Sequence, residues 1–110
     1  MGKPVDVSAT DFEAEVLQVE GTPVLVDFWS ETCGHCLALN PQFEQAAEET
    51  GDRVKFAKVT FSDNKDIFKE YSVRATPTLV LFRDGEEIAR TVGAKRADEL
   101  KAWVDEQLAG

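Results

Sequence analysis

The run Pro23-Val24-Leu25-Val26-Asp27-Phe28-Trp29-Ser30-Glu31-Thr32-Cys33-Gly34-His35-Cys36 decides the architecture. Its first half is apolar except for Asp27 and reads as a buried strand. Its second half holds the only two cysteines and the only histidine of the 110-residue chain. Beyond it, Leu39, Phe43 and Ala47 recur every fourth residue up to Gly51-Asp52, which predicts a helix. Pro41 lies inside that helix and is expected to kink it by removing a backbone donor. A strand therefore hands over to a helix at the cysteine pair. Two thiols separated by two residues can close a disulfide or attack another, so dithiol–disulfide exchange is the leading expectation.

Working outward, Val5-Asp6-Val7 reads as a short edge strand. Thr10 with Glu13 forms a capping-box signature, followed by Phe12, Val16 and Val19 at helical spacing. Gly21-Thr22-Pro23 ends that helix. Val54 to Phe61 reads as a strand, and Ile67 with Tyr71 predicts a short helix after Ser62-Asp63-Asn64. Pro77 opens the apolar strand Thr78-Leu79-Val80-Leu81-Phe82. Asp84-Gly85 then signals a hairpin into Glu87 to Val92. Leu100, Trp103, Val104 and Leu108 share one face of a closing helix. The order βαβαβαββα implies an α/β fold: a central mixed five-stranded sheet flanked by four helices.

Size and composition narrow the field. The length suits one domain spanning residues 1–110. A hydrophobic content of 43% suffices for a core, so the cysteines are not needed as a staple. A loop closed between Cys33 and Cys36 is also too short to constrain the unfolded chain much. Chemistry explains the pair better. Twelve basic against twenty-one acidic residues give a net charge of −9, which opposes nonspecific nucleic-acid binding. No apolar stretch is long enough to span a membrane, and the start Met1-Gly2-Lys3-Pro4-Val5-Asp6 shows neither a signal region nor a myristoylation motif. The expectation is a soluble protein of a reducing compartment, the cytoplasm, with no membrane or nucleic-acid partner.

At a strand-to-helix junction the sulfur of Cys33 meets unpaired backbone N–H groups and the helix dipole, which stabilise a thiolate. Such a thiol has its pKa lowered to roughly 3.5–7.5. Cys36, inside the first turn, is expected to be more buried. Cys33 then attacks and Cys36 resolves; the alternative is an unreactive buried pair. A protonated His35 beside Cys33 would favour the thiolate and make the disulfide a stronger oxidant, unless it simply faces solvent. Three candidate ligands, Cys33, His35 and Cys36, packed into four residues without a fourth nearby in sequence, do not suit a metal, and none is expected. Asp27 is costly in an apolar strand, and burial should raise its pKa. It could then exchange a proton with Cys36, directly or through water. Lys58, in the neighbouring strand, is its candidate partner, and the alternative for the two is a purely structural ion pair.

These residues resemble the thioredoxin family along nearly the whole chain. Val26-Asp27-Phe28-Trp29-Ser30-Glu31 looks like its active-site strand, Pro41 like its helix proline, and Val73-Arg74-Ala75-Thr76-Pro77-Thr78 like its cis-proline loop. Asp84-Gly85-Glu86 and Val92-Gly93-Ala94 look like its hairpin and the glycine flanking the site. The resemblance implies a thioredoxin fold and a buried Asp27–Lys58 pair beneath Cys36. It also implies a cis Thr76–Pro77 bond beside the cysteines, where a trans turn would be the ordinary case. Trp29, Ala75, Thr76, Pro77 and Gly93 are then expected to meet substrate, with the Thr76 backbone pairing to an extended segment. No cofactor is implied beyond the Cys33–Cys36 disulfide. The implied partners are disulfide-bearing proteins and a separate thioredoxin reductase, with the chain a monomer.

Three departures stand out. Gly34-His35 replaces the usual Gly-Pro and matches the pattern of protein disulfide isomerase domains. Thr32 stands where Trp is common, and Leu37 where a basic residue often follows. The favoured function is a protein disulfide reductase. The alternatives are an oxidase or isomerase of more oxidising potential and a non-catalytic interaction module.

Overall fold

Strand β2 (Val24–Trp29) is buried along all but its last residue, because both faces of the sheet are covered where it runs. That is why its sequence is a continuous apolar run instead of an alternating one. The computed structural model describes residues 2–109. Its other strands are β1 (Val5–Asp6), β3 (Lys55–Thr60), β4 (Thr78–Arg83) and β5 (Glu86–Val92), in spatial order β1-β3-β2-β4-β5. β3 runs parallel to β1 and β2, while β4 is antiparallel to β2 and β5. The sheet is therefore mixed and five-stranded, as expected.

Alternation along β2 divides the core. Val24, Val26 and Phe28 pack with Phe12, Val16 and Phe68 on one face. Leu25 packs with Leu39, Phe43 and Leu100 on the other, under α1 (Gly34–Thr50) and α3 (Ala97–Ala109). The first face is an aromatic cluster: the Phe28 ring meets Phe68 edge-on at 5.2 Å, from the short helix α2 (Lys65–Glu70).

The first predicted helix is reduced to one π-helical turn, Glu13–Leu17, and the Thr10–Glu13 box does not form. The cap sits earlier, where the chain leaves β1. Ser8 Oγ accepts the Asp11 N–H at 3.2 Å and donates to the Asp11 carboxylate at 3.0 Å. Ser8 and Asp11 have the same spacing as Thr10 and Glu13, and the spacing alone does not choose between them. The hairpin forms as expected: Asp84 and Gly85 both take positive φ, +51° and +83°, in the two-residue loop between β4 and β5.

Phe28→Ala should destabilise the protein by about 3–5 kcal/mol, the usual cost of emptying a buried aromatic site. Urea unfolding measures it; a loss no greater than that of a surface substitution, about 0.5 kcal/mol, would contradict this packing.

Candidate active site

Cys33 is the N-cap of α1. Its backbone is extended (φ −101°, ψ 114°), and its sulfur accepts the Cys36 N–H at 3.2 Å. The sulfur thus occupies the place of a capping oxygen and satisfies one of the helix's free donors. The first turn closes with Leu37 N–H on the Cys33 carbonyl at 3.1 Å. Both cysteines are free thiols; Cys33 is partly exposed and Cys36 is buried.

These settings drive the two thiols apart. Some burial pushes Cys33 up, but hydrogen bonds from the side chains of Cys36 and Thr76 and from the Cys36 and His35 backbones outweigh it, so its pKa falls. The Cys36 thiol is pushed up to about 11, chiefly by burial and then by its hydrogen bond with Cys33. Of the two thiols, Cys33 is therefore the one that ionises first. His35 is exposed on the first turn, next to the pair.

The loop before β4 closes the other side. The Thr76–Pro77 peptide is cis, and the Cys33 thiol lies 3.4 Å from the Thr76 carbonyl, to which it donates. That bond belongs to the protonated thiol and is surrendered on ionisation. Thr78 Oγ1 braces the loop by donating to the Ala75 carbonyl, and Gly93 N–H donates to the Pro77 carbonyl at 2.9 Å. Gly93 has φ +104°, a conformation that favours glycine, and a Cβ there would meet nothing. Its role is conformational and leaves the surface clear. Beside the loop, Ser30, Phe61, Arg74, Ala75 and Thr76 line an open groove of about 260 Å³.

Asp27 is completely buried, with neither carboxyl oxygen hydrogen-bonded. Burial raises its pKa to about 7, against a smaller lowering by the Lys58 charge. The expected Asp27–Lys58 ion pair does not form. The two residues are in register across β2 and β3, but the Lys58 ammonium lies 4.4 Å from the centroid of the Trp29 ring. A cation over an indole face is attracted by its quadrupole and keeps more of its hydration than it would beside a buried carboxylate. Asp27 makes no direct hydrogen bond to Cys36 either.

Trp29, expected to meet substrate, lines a cavity with Lys58, and its indole N–H is buried without a partner. Two neighbours of this region were not singled out from sequence. Asp6 joins Trp29 and Lys58 in lining that cavity, and the Asn40 side-chain oxygen is buried without a partner one turn beyond Cys36. The polar residue in the first strand was the only available signal for Asp6.

A family model described as Thioredoxin matches residues 3–106. The chain is 42% identical over 102 residues to a thioredoxin of Acidithiobacillus ferridurans, covering 93% of this chain and 94% of that protein. It is 40% identical over 101 residues to a thioredoxin of Pseudomonas aeruginosa, covering 92% and 93%. Among solved structures, Malassezia sympodialis thioredoxin (Mala s 13) superposes with a TM-score of 0.84 at 31% identity, covering 97% of this chain and 92% of that one.

The buried carboxyl carries a stability signature. Asp27 titrates at about 7 when folded, against an ordinary value of 3.8, so between these the native state holds a proton that the unfolded chain has released. Stability should fall by about 4 kcal/mol as pH rises through that window. Asp27→Asn should remove the fall, so that urea unfolding of the reduced proteins shows its advantage growing from about pH 4 to about pH 8. An advantage that does not change with pH would contradict the assignment.

Proposed function

The chain belongs to the thioredoxin family and reduces protein disulfides through its cysteine pair; from that premise we propose that Cys33 attacks, Cys36 resolves and Asp27 handles the proton of Cys36. The observation that carries this division is the Cys36 N–H on the Cys33 sulfur, which favours charge on one sulfur while the other stays buried and protonated.

The Cys33 thiolate attacks one sulfur of the substrate disulfide. The substrate S–S bond breaks, a Cys33–substrate disulfide forms, and the first substrate sulfur leaves with the electron pair and takes a proton from solvent. Asp27, as carboxylate, then accepts the Cys36 proton through water, and Cys36 attacks the Cys33 sulfur. The second substrate sulfur leaves as a thiolate and is protonated. Two substrate thiols and one Cys33–Cys36 disulfide result, so two electrons pass from protein to substrate. No cofactor is required, because the cysteine pair carries the electrons.

The family's partners are protein substrates and a thioredoxin reductase, which returns two electrons to the disulfide. An extended substrate segment lies over Ala75, Thr76, Pro77 and Gly93, with the Thr76 backbone available for strand pairing. Phe61 and Leu37, both exposed, provide apolar surface on a rim where Thr32 provides none. Gly34 lets the substrate approach closely, and His35 favours the thiolate when protonated, which raises the potential. The chain acts as a monomer in a reducing compartment, the cytoplasm. The oxidase or isomerase alternative is not favoured, since the relatives matched along the chain are thioredoxins.

In the turbidity assay of insulin reduction by dithiothreitol, the protein should accelerate precipitation, and Cys36→Ser should instead accumulate a mixed disulfide on Cys33. No acceleration, or trapping through Cys36 in a Cys33→Ser variant, would reject the proposed roles. His35→Pro should make the disulfide harder to reduce, with a shift of roughly 30 mV for each tenfold change in the exchange constant. Equilibration with glutathione buffers reads it, and an unchanged potential would remove His35 from the tuning.

A further inference from the structure

Three charged residues stand side by side across the sheet. Strand register sets Asp6 of β1 and Asp27 of β2 on either side of Lys58 of β3. Residues directly paired in neighbouring strands project from the same face, so all three lie on the face covered by α1. The carboxylates differ sharply in setting: Asp27 is completely buried, while Asp6 is exposed on the edge strand.

Between them Lys58 makes no ion pair among the described residues and rests over Trp29. A cavity of about 390 Å³ opens at this point, lined by Asp6, Trp29, Lys58, Thr60 and Asp63; Asp27 is buried and is not part of its lining. The ammonium can therefore be held on the wet side, near Asp6, or drawn to the dry side, onto Asp27. These positions have opposite consequences for the reaction. A carboxylate with an ammonium beside it is a weak base, whereas an unpaired buried one is a strong base.

We propose that Asp6 is a positioning residue for the resolving step: without closing an ion pair, its charge biases the Lys58 ammonium toward the open cavity and so away from Asp27. Asp27 then keeps the basicity needed to take the Cys36 proton. The other charged groups lining this cavity are Asp11 and Asp63; Cys36 is buried in the first turn of α1, and β4 sets uncharged Leu79 opposite Asp27. Asp11 already accepts a hydrogen bond from Ser8, and Asp63 is in a loop outside the strand register. Asp6 is thus the carboxylate, besides Asp27, that the sheet itself pairs to Lys58.

The inference rests on the proton role proposed for Asp27, and one experiment separates the two. Rapid mixing of the reduced protein with excess of a symmetric aromatic disulfide releases two chromogenic thiolates. Cys33 attack releases the first and Cys36 resolution the second. In the wild type the second phase should rise with a midpoint near the Asp27 value of about 7. Asp6→Asn should move that midpoint down by at least about half a pH unit and leave the first phase unchanged. In a Lys58→Met background, Asp6→Asn should cause no shift. An unmoved midpoint, or the same shift with and without Lys58, would overturn the inference. Asp27→Asn is the separating arm: if it keeps the midpoint near 7, the proton role of Asp27 fails, whatever Asp6 does.

Discussion

The hydrogen bond from the Cys36 amide to the Cys33 sulfur, 3.2 Å long, is the contact on which the working end of the molecule turns. An α-helix begins with donors that nothing inside the helix can satisfy, and here a sulfur meets one of them. That choice fixes where α1 starts. The start in turn fixes which face of α1 meets the sheet, and that face carries Cys36, Leu39 and Phe43 into the core. The inequality of the sulfurs follows from the same geometry. One lies at the helix tip within reach of N–H donors and solvent, and the other lies one turn inside, away from water. Had the helix begun a residue earlier, the first sulfur would have lost its cap position and the second would have rotated off the core.

Asp27 illustrates the opposite tendency, a site that stability alone would not select. Its strand is central, and both layers of helices press on it, so the carboxyl is cut off from bulk water. Neutral, it costs the desolvation of a polar group; ionised, considerably more. A methyl or isobutyl group would fill the same space more cheaply. The protein nonetheless keeps an acid there, and the nearest cation sits on an aromatic ring instead of neutralising it. A carboxyl held this way titrates near neutral pH, which suits the proton role proposed for it. Functional sites commonly keep such locally unfavourable groups at the expense of stability.

Much of this was legible in the sequence, where period and local chemistry agree. The run Val24–Phe28 told of a strand buried on both sides, Asp84-Gly85 of a two-residue turn, and Cys33 and Cys36 of a strand-to-helix junction. The misplaced parts needed information that a linear pattern lacks. Thr10–Glu13 and Ser8–Asp11 have identical spacing, and only the exit direction of β1 selects the second. Asp27 and Lys58 are truly neighbours in register, yet four rotatable bonds of lysine side chain let the charge settle elsewhere. Trp29 shares a strand face with Asp27, as alternation requires, but nothing in the sequence says that this face opens on a cavity. Asp6 was visible only as a polar residue in a short strand, because its partner across β3 becomes known only once the strands are paired.

The capping arrangement has a consequence outside catalysis. Because the Cys36 amide points at the sulfur whose charge and bonding change during turnover, its proton is a built-in reporter. A thiolate, a thiol and a disulfide sulfur are acceptors of different strength, so the amide resonance and its exchange with solvent must differ among the three states. The backbone of this protein therefore carries its own redox indicator, one that a nuclear magnetic resonance spectrum can read without label, dye or substitution at the active site.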